Sequence, residues 1–174
     1  MIVWVPPGLD FPNADLTVHQ ICEFVKDMNV TQRFAGLSLG GNEGASTAAS
    51  VCAWQSGYPL RVSYESGAPK YDPDLYAIPK LIASKQTDCL VWLSSFTDSL
   101  APPVSDIPTI VLGTHDLKLA KEPDVYIPVG TPGIDHKGQL VRCDSVVSLP
   151  LRDLGRGAGL ARTVDVLAAL EAAL

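Results

Sequence analysis

A histidine followed by an aspartate, His115-Asp116, closes an apolar run that reads Ile110-Val111-Leu112-Gly113-Thr114. An imidazole and a carboxylate at the carboxyl end of a strand are ingredients of general acid–base catalysis, and ligands of α/β proteins gather at that end. Adjacent side chains on extended backbone diverge, however, so these two need a turn to act together. A solvated loop pair is the plainer account of them. His19 and His136 share no ligand spacing with His115. His19 falls outside the apolar stripe of its segment, and His136 stands in a turn between Asp135 and Lys137. No H-E-x-x-H or E-x-x-H motif occurs, and motifs alone name no reaction and no catalytic residue.

The cysteines give a similar answer. Cys22, Cys52, Cys89 and Cys143 are widely spaced, whereas zinc and iron–sulfur sites need two thiolates on one tight turn. No metal ligand is predicted. Buried free thiols are expected, with Cys22 and Cys89 inside apolar periodic segments.

Gly40-Gly41-Asn42-Glu43-Gly44 lies between an apolar run and a small-residue segment. It matches neither G-x-G-x-x-G nor a loop ending in Gly-Lys-Ser/Thr, and Glu43 stands where an anion would sit. Two readings remain open. A helix N-terminus can hold a polar ligand, or the loop is a tight turn that lets Ala45, Ser46, Ala48 and Ala49 pack closely.

The elements that would position these residues follow from periodicity. Strands are predicted at Ile2–Val5 (buried), Phe34–Leu39 and Cys89–Ser94, then after Pro108 and after Pro123-Asp124. Pro128 puts the last of these at or near an edge. Helices are predicted after Asp15, with Val18, Ile21, Cys22, Val25 and Met28 on one face, and over Ala45–Trp54, Ala77–Gln86 and Leu160–Leu174. Pro59–Pro73 reads as a long surface loop of the binding or interface kind. Gln139–Cys143 and Val146–Leu151 pair as a hairpin capping the sheet edge, and Gly155, Gly157 and Gly159 form a flexible joint. The alternation implies α/β: a mostly parallel, five-stranded Rossmann-like sheet with helices on both faces, plus a C-terminal hairpin and helix, in a single domain over 1–174.

Composition narrows the partners. A net charge of −6 without a basic cluster argues against nucleic acid. No apolar run reaches the ~20 residues of a membrane span, and the N-terminus lacks a basic n-region, so the expected location is cytoplasmic. At 174 residues the chain is expected to bury roughly 70% of its unfolded surface. Only 18% of residues are charged, and a surface poor in charge favours contact with another subunit.

Three segments together resemble a known family. SLGGNEGASTAASVCAWQSGYPLRVSYESGAPKYDP, CLVWLSSF and Ile107–Arg152, which contains PDVYIPVGTPGIDHKGQLVR, are similar to the C-terminal half of the B subunit of formylmethanofuran dehydrogenase, of the molybdopterin oxidoreductase family. In the redox branch of that family the resemblance implies a tungsten or molybdenum molybdopterin guanine dinucleotide, with the cluster and metal thiolates in a part this sequence lacks. It would place the pterin against Asn42, Gly44, Thr114, His115 and Asp116. Here the family's Ala-Asp is Pro123-Asp124 and its Glu is Asp135.

The second branch is the formyltransferase/hydrolase complex of methylotrophic bacteria. There the resemblance implies a B-type subunit without redox chemistry, alongside a zinc hydrolase-type A subunit, a formyltransferase-type D subunit and a C subunit. On that reading the chain is a non-catalytic scaffold with no cofactor of its own, and the five loop positions are vestigial.

Overall fold

The computed structural model describes residues 1–40, 42–156 and 159–173, apart from the side chains of Pro7 and Asn42. Gly41 of the glycine loop, Gly157 of the joint and Leu174 of the closing helix lie outside the described residues.

β1 (Ile2–Trp4) stops short of Pro6-Pro7, which cannot donate to a ladder and instead form a 3-10 turn. α1 (Ala14–Met28) half-buries Val18, Ile21, Val25 and Met28 on the expected face. Asn29 ends it, donating its amide N–H groups to the carbonyls of Val25 and Phe34. β2 (Gly36–Ser38) then pairs parallel with β1, Ile2 opposite Gly36. A 3-10 turn, Asn42–Gly44, leads into α2 (Ala45–Ser56), which ends at Gly57 with φ 85°. Within the expected surface loop, β3 (Val62–Ser63) and β4 (Lys70–Tyr71) form an antiparallel hairpin, with Tyr58 stacked on Tyr71 at 5.2 Å between ring centroids. α3 (Ile78–Ala83) carries Pro79 in its first turn, where the missing N–H costs nothing.

β5 (Leu90–Ser94), β6 (Thr109–Gly113) and β7 (Val125–Pro128) form a parallel sheet in that order, so the proline-bearing strand takes an edge. Asp124 fixes the register by accepting the Thr109 N–H at 2.7 Å. β8 (Gly138–Val141) and β9 (Ser148–Leu151) pair antiparallel, and α4 (Thr163–Ala173) closes the described chain.

Several expectations are corrected. The five parallel strands do not make one sheet among the described residues: β1–β2 and β5–β6–β7 are separate. β1 and β2 are only three residues each, and β5 is hydrogen-bonded to β6 alone. The hairpin β8–β9 likewise forms its own sheet rather than capping another. It is tied to α2 instead, Val141 N–H donating to Thr47 Oγ1 at 2.9 Å. Cys22, Cys89 and Cys143 are exposed and Cys52 half-buried: among the described residues no helix position is buried, β5 is open at Val91 and Leu93, and Cys143 lies in the turn between β8 and β9. Ile2–Val5 is not a buried strand either, since Val3 and Val5 are exposed.

The core is small. Its apolar members among the described residues are Val111 and Leu112 on β6, with Leu117, Val129 and Val141 around them. The chain exposes 11823 Å², whereas a compact monomer of 18.5 kDa exposes about 8,200 Å². The excess of roughly 3,600 Å² is several times the ~800 Å² that one partner contributes to a standard interface.

Candidate functional site

The carboxyl ends of β5, β6 and β7 open into one groove of ≈ 440 Å³, walled by the loops Phe96–Asp98, Thr114–Asp116 and Thr131–Asp135, with Arg156 and Leu160 on its rim. β5 ends in Ser94, buried, whose hydroxyl has no hydrogen-bond partner among the described residues. Its carbonyl accepts the Thr114 N–H at 3.0 Å, so the loops after β5 and β6 leave the sheet side by side.

Thr114 is a latch. Its hydroxyl donates to the Thr97 carbonyl at 3.2 Å, and its own carbonyl accepts from Leu117 N–H and from the Tyr126 phenol. Every polar atom of Thr114 is therefore engaged within the protein. Burial pushes the Tyr126 phenol up from its ordinary value, with the charge of Asp116 acting in the same direction, so the phenol stays a donor. The bond Leu117 N–H to Thr114 O, 3.1 Å, closes a turn over His115 and Asp116. That turn supplies the convergence that strand geometry alone denies. Even so, His115 Nδ1 and Asp116 Oδ1 stand 3.9 Å apart with both side chains largely in solvent, a loose pair rather than an aligned hydrogen bond.

The other two candidates lie across Phe96. Asn42 and Gly44 form the turn before α2, and Gly44 has φ 83°. A Cβ placed on Gly44 would stand 3.0 Å from Cε2 of Phe96. Phe96 thus packs on the Asn42–Gly44 turn and also lines the groove with Thr114–Asp116. The structure brings the two predicted loops to one neighbourhood through a residue that sequence reasoning passed over. A bulky aromatic two residues beyond a strand's last position was the available signal.

The groove is rich in carboxylates. Asp98 is ion-paired to Lys118 at 2.6 Å, and the hydrogen-bonded ammonium holds its carboxyl below the usual range. Asp135 accepts the Thr131 N–H at 2.7 Å and closes its own turn. His136 belongs to the same turn, its ring nitrogens facing the carbonyls of Lys137 and Gly130 at 2.8 and 3.1 Å. Asp116 remains without a strong partner, and Arg156 is the groove's one cation outside an ion pair among the described residues. A pyrophosphate needs several uncommitted donors or cations, so this set does not fit a pterin dinucleotide. Nor do three His, Cys, Asp or Glu side chains converge as a metal site among the described residues. No described helix is long and apolar enough to cross a membrane.

No protein-family model matches the chain. By sequence the chain is similar to B subunits of formylmethanofuran dehydrogenase: that of the tungsten-containing enzyme 2 of Methanocaldococcus jannaschii is 23% identical over 129 residues, covering 71% of this chain and 30% of the relative. A second relative narrows the comparison. The B subunit of the formyltransferase/hydrolase complex Fhc of Methylorubrum extorquens is 27% identical over 129 residues, covering 73% of this chain and 36% of the relative. The fold is shared with a chain in the crystal structure of that complex, FhcABCD with methylofuran, at TM-score 0.77 and 22% identity over 90% of this chain and 44% of the other. The chain spans about a third of the length of the curated relatives it matches.

Proposed function

We propose that this chain is a non-catalytic structural B-type subunit of a formyltransferase/hydrolase complex. Such a complex works in tetrahydromethanopterin- and methanofuran-linked one-carbon metabolism, releasing the formyl group as formate. The observation that carries the reading is the similarity to the Fhc B subunit over 73% of the chain. The excess exposed surface supports it, since a scaffold subunit leaves much of its apolar surface for neighbours. The partners on this reading are hydrolase-type A, formyltransferase-type D and C subunits in the cytoplasm. The chain corresponds to the C-terminal part of the longer B subunits.

The test is a complex reconstituted with the A-, C- and D-type subunits and carrying His115→Ala or Asp116→Ala here. Formyl release is expected to stay within about twofold of the unaltered complex. A loss of about a hundredfold, the scale of forfeited general acid–base catalysis, would make this chain catalytic and overturn the reading.

A second reading has its own support, the 23% identity to the B subunit of a tungsten-containing dehydrogenase. On it, the groove beside Phe96 would be part of a molybdopterin guanine dinucleotide site. The carboxylates at that groove weigh against it.

A further inference from the structure

A second groove, ≈ 960 Å³, lies between the β3–β4 hairpin and α3. Its floor is aliphatic: Leu60, Val62, Leu75, Ile78 and Leu81. Leu60, Leu75 and Ile78 are all exposed there.

The backbone around this groove is strained. Leu60 and Arg61 have φ of 64° and 51°, two consecutive side-chain-bearing residues in the left-handed region. Such residues cost energy and persist where the surroundings over-determine them, typically at clamps for something bound. Lys85, φ 55°, turns the chain after α3 and presents Gln86 and Thr87 to the same groove. Two of the six non-glycine residues with positive φ among the described residues therefore line this recess, and a third, Lys85, immediately precedes two more of its lining residues.

Its polar groups are incompletely satisfied. Arg61 donates from Nη1 to the Pro73 carbonyl at 3.0 Å, leaving the rest of its fork uncommitted. Thr87 Oγ1 is buried without a hydrogen-bond partner among the described residues. Lys70 lines the adjoining recess, and Glu65 lines both.

We infer that this groove receives a segment of another subunit, seating an apolar side chain on the aliphatic floor and a carboxylate or backbone carbonyl on Arg61. The choice of a protein occupant rests on the complex reading above and on the surface excess, which is larger than a small ligand could cover. Arg61 is the cation that lines the groove, opposite in sign to Glu65 there, and its free guanidinium donors suit a carboxylate of the incoming segment.

The experiment is hydrogen–deuterium exchange on the free chain and on the intact complex isolated from its source. Slowing of about tenfold or more is expected at residues 60–65 and 75–87 in the complex. A complex carrying Arg61→Gln or Leu81→Glu should lose this chain at a protein concentration about tenfold higher than the unaltered complex does. A complex that forms with equal exchange in both segments overturns this inference and leaves the complex reading standing. Protection that persists when the isolated chain is measured with small molecules from the preparation, or in a self-associated form, also overturns it. If no partner co-purifies at all, both fall.

Discussion

Phe96 lies so close over Gly44 that a Cβ on the glycine would come within 3.0 Å of the ring. This contact joins the turn before α2 to the loop after β5, two segments about fifty residues apart in sequence. Gly44→Ala adds both a clash and a side chain at φ 83°, so it should destabilise by about 1–3 kcal/mol. Phe96→Leu in the same chain should recover part of that loss, read as a rise in thermal midpoint. If the second change brings no recovery, the contact is not the source of the cost.

Tyr126 holds the other side of the groove by donating to the Thr114 carbonyl. Tyr126→Phe should cost about 1 kcal/mol, since the carbonyl keeps the Leu117 N–H. The same residue predicts an alkaline effect. A phenol raised in the folded state contributes stability that is complete below its unfolded value, near pH 10, and is lost as pH rises through the raised folded value. Chemical denaturation between about pH 9 and 12 should show a fall that is shallower in Tyr126→Phe.

Acid should act through the opposite sign. Hydrogen-bonded cations hold Asp98 and Asp144 below the usual carboxylate range, through Lys118 and Arg142 respectively. Depressed carboxylates stabilise the fold above their unfolded values, and that contribution disappears as pH falls through the folded ones. Stability is therefore expected to drop below about pH 4. Lys118→Met should flatten that drop, and an unchanged acid limb would remove the Asp98 pair from the account.

The sequence displayed its strand and helix segments because proline and glycine punctuate them. Pro6-Pro7 stops β1, Gly57 caps α2, Pro79 sits in the first turn of α3, and Pro128 marks an edge strand. Sheet assembly was not legible in the same way. Nothing local says that three-residue strands at Ile2 and Gly36 pair only with each other. Burial was misjudged for the same reason: the periodicity that predicts an inward face at Cys22 or Val3 says nothing about whether this chain supplies the cover. At the groove, Thr114, His115 and Asp116 could be read from their place after a strand. The role of Thr114 as a fully bonded latch needed coordinates.

Helix α4 bears exposed Val164, Leu167 and Leu170. Leu167→Arg should leave the far-ultraviolet circular dichroism of the chain unchanged while lowering its co-elution with partner subunits in size exclusion. Unchanged elution would place the assembly surface elsewhere.

The scaffold account is tested most directly by metal and pterin analysis of the intact natural complex. It predicts zinc traceable to another subunit, with neither tungsten nor molybdenum and no guanine-bearing pterin accompanying this chain. Stoichiometric tungsten or molybdenum together with such a pterin would contradict it.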